Sequence, residues 1–152
     1  MRKQTRRKIW DTTINPITHA IVGASITDDE SLEFLREREN GSLEAFRTGV
    51  AKPQDWNNIN AVVRLAESMA DANIGPEVMV HAKIAEMHLI DAHDRYKRIG
   101  KMGSTGPGLQ SFQDIIEYHE LQRTSVSRSV YESHIKRVTD MIKSKSPKIK
   151  FL

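Results

Sequence analysis

The chain has 152 residues, no cysteine, and 23 Lys and Arg against 20 Asp and Glu. That length suits one domain with a core of its own, and the missing cysteines exclude a disulfide framework or a thiolate metal site. No run approaches the ~20 apolar residues of a membrane span and no signal-peptide core follows the basic start, so no membrane association and a cytoplasmic location are expected.

The small net charge of +3 conceals a strong division along the chain. Residues 1–8 carry five cations, Arg2, Lys3, Arg6, Arg7 and Lys8, and residues 136–152 carry six against the single Asp140. Between them, residues 9–135 hold 12 basic and 19 acidic side chains. Two cationic ends on an anionic body make a field that a phosphate backbone or an acidic protein surface can read.

Prolines punctuate the chain where helices can begin: Asn15-Pro16, Lys52-Pro53, Gly75-Pro76 and Gly106-Pro107. Proline is tolerated at a first helical position because its missing N–H has no partner there, and a preceding glycine can close the helix before. Thr27 and Glu30 have capping-box spacing, and the first helix is placed at 28–48 on Leu32, Leu35, Leu43, Phe46 and Val50. Glu39 breaks that row, and Gly41-Ser42 marks a kink or a split. A second helix, 53–73, carries Trp56, Ile59, Val63, Ala66 and Ala70. The third, 76–99, has the strongest period: Val78, Ala82, Ala85, Leu89, Ala92, Tyr96 and Ile99 alternate steps of four and three in one narrow seam. A fourth at 107–123 rests on Leu109, Phe112, Ile115, Ile116 and His119. A fifth at 128–144 rests on Tyr131, Ile135, Val138 and Ile142. No alternating strand pattern competes. The expected fold is an all-α, single-domain bundle of five or six helices, with a helical domain over 9–143 and flexible basic tails at 1–8 and 144–152.

Two features invite an enzymatic reading. Gly100-Lys101-Met102-Gly103-Ser104-Thr105-Gly106-Pro107-Gly108 leads into a helix as anion-binding turns do, but it has no preceding strand and no G-x-x-x-x-G-K-[ST], so a connector is the better reading. His93-Asp94, with His88, Asp91 and Arg95 on the same helix, has the adjacent pair of metal-dependent phosphohydrolases, yet nothing in the spacing brings further ligands in. The Glu-x-x-His pairs of di-iron bundles are also missing. No catalytic residue, metal or cofactor is assigned, and the expectation is a binding protein and not an enzyme.

Residues 117–132 read as helix, short turn, helix. Val126-Ser127-Arg128-Ser129-Val130-Tyr131 resembles the turn and recognition-helix start of helix-turn-helix regulators. The resemblance implies that Ser127, Arg128 and Ser129 face bases or phosphates and that Val126, Tyr131 and Ile135 pack inward. Arg123, Lys136 and Arg137 would add phosphate contacts. Ser125 stands where that family has a glycine, and Leu121 is bulky where a small residue lets the helices cross. The bland alternative is that Ser127 is an N-cap and Arg128 a solvated first-turn residue.

The chain as a whole resembles a set of small uncharacterised proteins of proteobacterial phages and prophages. The resemblance lies in Asn15-Pro16 with His19-Ala20 and Gly23-Ala24, in Arg98 to Leu109, and in His119 to Arg123 with Arg128-Ser129-Val130-Tyr131. It implies a mobile-element origin and small binding roles. The expectation is therefore a non-catalytic protein that binds nucleic acid, DNA over RNA, through Arg2, Lys3, Arg6, Arg7, Lys8, Arg123, Ser127, Arg128, Lys136 and Arg137. The alternative is an interaction module or inhibitor that docks a host or phage protein through its acidic surface, with a possible homodimer along the Val78–Ile99 seam.

Overall fold

The computed structural model describes residues 29–143, which form five helices and no strand. They are α1 (Asp29–Arg47), α2 (Pro53–Asp71), α3 (Val78–Ile99), α4 (Gly106–Thr124) and α5 (Arg128–Lys143). The helices expected at 28–48, 53–73, 76–99, 107–123 and 128–144 are all present within two residues at each end. The two tails and the Asn15-Pro16 boundary lie outside the described residues.

The boundaries have local causes. Pro53 opens α2 while the Asp55 carboxylate accepts the Lys52 backbone N–H at 2.9 Å. Thr105 caps α4 by accepting from the Gly108 N–H at 3.1 Å. Gly100 ends α3 in the left-handed region at φ 71°, where its amide reaches the Tyr96 carbonyl at 2.8 Å. Gly41-Ser42 does not split α1, which runs through both residues.

The centre of the bundle is α2. It packs against all four other helices, and every residue from Asn58 to Ala70 is buried. Its apolar row meets Leu43 and Phe46 of α1, Ala82, Ala85, Leu89 and Ala92 of α3, and Phe112, Ile115 and Ile116 of α4. The small alanines of α3 let the two backbones come close, and the Trp56 indole N–H donates to the Leu89 carbonyl at 2.9 Å. A second cluster holds α5 in place: Tyr131, Ile135 and Val138 pack on Ala61, Leu65 and Met69 of α2 and on Leu35 of α1.

Candidate nucleic-acid interface

α4 and α5 are joined by Ser125, Val126 and Ser127, so the expected helix, turn and helix are present. Ser125 has φ −88°, and the turn is made without a left-handed residue. Leu121 is exposed, because the apolar face of α5 lies on α1 and α2. Tyr131 and Ile135 are buried and Val126 packs beside them. Ser127 accepts the Val130 N–H through Oγ at 3.3 Å, which makes it the N-cap of α5.

Arg123 departs from expectation. It is 4% exposed, and its guanidinium donates to Glu39 Oε2 at 2.8 Å and Oε1 at 3.0 Å and also to Glu120. This bidentate arrangement leaves the group facing inward, away from any phosphate. Burial works against its charge, but Glu39, Tyr131 and Glu120 together outweigh that and raise the Arg123 pKa above its ordinary value. Burial pushes the Glu39 carboxyl up in turn, opposed by Arg123. Glu120 extends the network to the surface, where Arg36 donates to it from Nη2 at 2.6 Å and from Nε at 2.8 Å.

Beside the ion pair runs a directional chain of neutral hydrogen bonds. Gln122 donates from Nε2 to the Ala66 and Ile74 carbonyls at 3.2 and 2.9 Å, which commits Oε1 as acceptor for His119 Nδ1–H at 3.1 Å. His119 Nε2 is then the acceptor for the Tyr131 hydroxyl at 3.0 Å. Burial, helped by the Arg123 charge, lowers the His119 pKa to about 3, and burial raises that of Tyr131 to about 12. The chain ties the α2–α3 turn, α4 and α5 together. Every group in it is spent on another.

The remaining predicted residues of this region are on the surface. Ser127, Arg128, Lys136 and Arg137 are exposed. Lys136 pairs with Asp140 at 3.0 Å and Arg137 with Asp71 at 3.4 Å. The outward face of α5 reads Ser129, Ser133, Lys136, Arg137 and Asp140, and the last four with Met141 line a shallow open depression. Ser133 escaped the sequence reading, although its place four residues after Ser129 puts it on the same face. Arg2, Lys3, Arg6, Arg7 and Lys8 lie outside the described residues.

The two enzymatic candidates are dispersed. His88 borders Gly108, His93 packs on Trp56 with ring centroids 5.6 Å apart, and His81 stacks on Tyr118 at 4.2 Å. Residues 88, 93 and 94 point in different directions around α3, and among the described residues no group of three or more metal-ligating side chains comes together. In the glycine-rich connector Met102 is buried, and a Cβ placed on Gly108 would fall 2.0 Å from Ser104 Oγ. The start of α4 is filled by its own loop.

α3 carries a second surface that the sequence reading passed over. Most of its seam is spent inside the fold, since Val78, Ala82, Ala85, Leu89 and Ala92 are all buried, while Ile99 at its end is 54% exposed. On the opposite side Val80, Ile84, Met87 and Ile90 are 62%, 42%, 61% and 41% exposed. Steps of four, three and three were legible, but the stronger seam on the same helix drew the reading. No protein-family model, curated protein sequence or solved structure matches the chain. No described helix is long and apolar enough to cross a membrane.

Proposed function

We propose that this chain is a non-catalytic, cytoplasmic nucleic-acid-binding protein, an accessory or regulatory factor of a phage or mobile element that contacts DNA in preference to RNA. The contact runs through the outer face of α5 and the basic ends of the chain. The observation that carries this reading is the division of α5: Tyr131, Ile135 and Val138 fix one face to the body, and Ser129, Ser133, Lys136 and Arg137 occupy the other. Hydroxyls and cations on a rigidly mounted helix are the groups that meet base edges and phosphates in a groove. Arg123 is not part of the contact. Its work is to hold α4 against α1.

The test is fluorescence anisotropy on duplex and single-stranded oligonucleotides, comparing wild type with Lys136→Glu/Arg137→Glu. Weaker duplex binding by the double variant, with its fold intact by circular dichroism, supports the reading. Wild type that binds no oligonucleotide at about 50 mM salt overturns it, because salt competition is weak there.

A second reading has its own observation. Residues 29–143 hold 15 basic and 18 acidic side chains, so the body repels a duplex except near α5, and an acidic helical surface of this kind suits docking on a host or phage protein.

A further inference from the structure

We propose that the outer face of α3 is a self-association surface on which two copies of this chain pack antiparallel, with Met87 at the two-fold axis. Val80, Ile84, Met87 and Ile90 form one apolar strip on the side of α3 opposite its buried seam. A strip of this shape accepts another helix laid along it.

The charges select which helix. Lys83 and Asp91 stand four residues on either side of Met87, in the same i±4 row of side chains. When two helices cross in the commonest way, these rows run alongside each other. In the antiparallel sense each Lys83 then meets the other copy's Asp91, and the symmetry makes the pair twice. In the parallel sense like charges meet. Lys83 already pairs with Glu67 at 3.0 Å and with Glu86 at 3.7 Å, and with its side chain 48% exposed the three-donor ammonium can bridge to a further carboxylate. Ile84 and Ile90, three residues on either side of Met87, each lie near their own symmetry mate's counterpart, which is the isologous arrangement a two-fold axis requires.

One helix face buries less than the ~800 Å² per partner of a standard interface, so the dimer is weak and depends on concentration. The chain itself offers one rival occupant. Residues 12–27 carry no Asp, Glu, Lys or Arg. With no charged side chain, that segment has nothing to set against Lys83 and Asp91, whereas a second copy does.

Because the chain has no cysteine, Met87→Cys introduces its only thiol. Helices ~8–10 Å apart with Cα atoms ~2.3 Å from each axis bring facing Cα atoms within reach of a disulfide. The experiment combines sedimentation velocity of nuclease-treated protein, from micromolar to near-millimolar concentration, with oxidation of the cysteine variant. A concentration-dependent dimer is expected. Met87→Lys and Asp91→Lys should each weaken it about tenfold or more with unchanged circular dichroism, and Met87→Cys should cross-link while Val130→Cys on α5 does not. A monomer at every concentration overturns the proposal, as does a dimer indifferent to Met87→Lys. A monomer in which the thiol introduced by Met87→Cys resists alkylating reagents overturns it in favour of residues 12–27. None of these outcomes depends on nucleic-acid binding.

Discussion

Arg123 and Glu39 are the residues that break their own patterns, and the structure gives both breaks one cause. Glu39 interrupts the apolar row of α1 and Arg123 ends α4 with a cation, and each is the other's partner across 84 residues of chain. Such a pair contributes little net stability when compared with apolar replacements, but removing one partner leaves a charge buried and uncompensated. Arg123→Ala should therefore cost about 3–5 kcal/mol in urea unfolding. Any loss of nucleic-acid binding in that variant should track the unfolded fraction. His119 gives a pH dependence with a definite sign. The unfolded chain takes up this proton near pH 6.5, and the folded one only near pH 3. Between those values the unfolded state binds more protons, so the contribution is complete above pH 6.5 and is lost as pH falls toward 3. The loss between about pH 7 and about pH 5 should be about 2 kcal/mol. His134 adds to it with the same sign, because burial against Ser68, with Arg137 nearby, lowers its pKa too. Urea midpoints across this range check the size, and His119→Gln should flatten most of the slope. The sequence marks Glu39 as a break in an apolar row and His119 as part of one, but not the pairing: Glu39 and Arg123 are written in the same letters as solvated charges, and their meeting depends on how α1 crosses α4.

The helices themselves were legible because their ends are chemical. Pro53, Pro107 and Gly100 fix the starts of α2 and α4 and the end of α3 by backbone geometry alone, with no help from the rest of the fold. The faces were legible only in part. In α2 the row Trp56, Ile59, Val63, Ala66 and Ala70 is core as expected, but Asn58, Asn60, Arg64, Glu67 and Ser68 are buried as well. A polar stripe on a helix reads as solvent-facing unless the helix is central, and centrality is a property of the whole bundle. Asn58 is taken up by the Ser42 hydroxyl at 2.8 Å, and Arg64 by Glu67 and Glu86 at 2.9 and 3.0 Å. The apolar half of the reading makes a direct prediction. Leu89 and Phe112 are fully buried, so Leu89→Ala and Phe112→Ala should each lower stability by about 2–5 kcal/mol in chemical denaturation. An unchanged midpoint for either would mean that its stripe is not core.

Across the whole molecule, charge and shape pull apart. The described body is slightly acidic, its outward face of hydroxyls and cations is on α5, and the densest positive charge of the sequence is in residues 1–8 and 136–152. If nucleic acid is the partner, two kinds of contact follow, and salt separates them. Phosphate contacts release counterions and carry no sequence information, each contributing about −0.9 to the slope of log K against log salt on duplex DNA. Replacing Arg2, Lys3, Arg6, Arg7 and Lys8 together by alanine should weaken binding to every duplex alike and flatten that slope. Arg128→Ala should act differently. Arg128 stands at the exposed first turn of α5, and if it reaches a base edge its loss should reduce discrimination between sequences by roughly 1–3 kcal/mol while nonspecific affinity changes little. Salt titrations of wild type and both variants on specific and random duplexes make the comparison. A loss confined to the tail variant, with Arg128→Ala indistinguishable from wild type, would reduce α5 to a structural helix and leave a sequence-blind electrostatic contact.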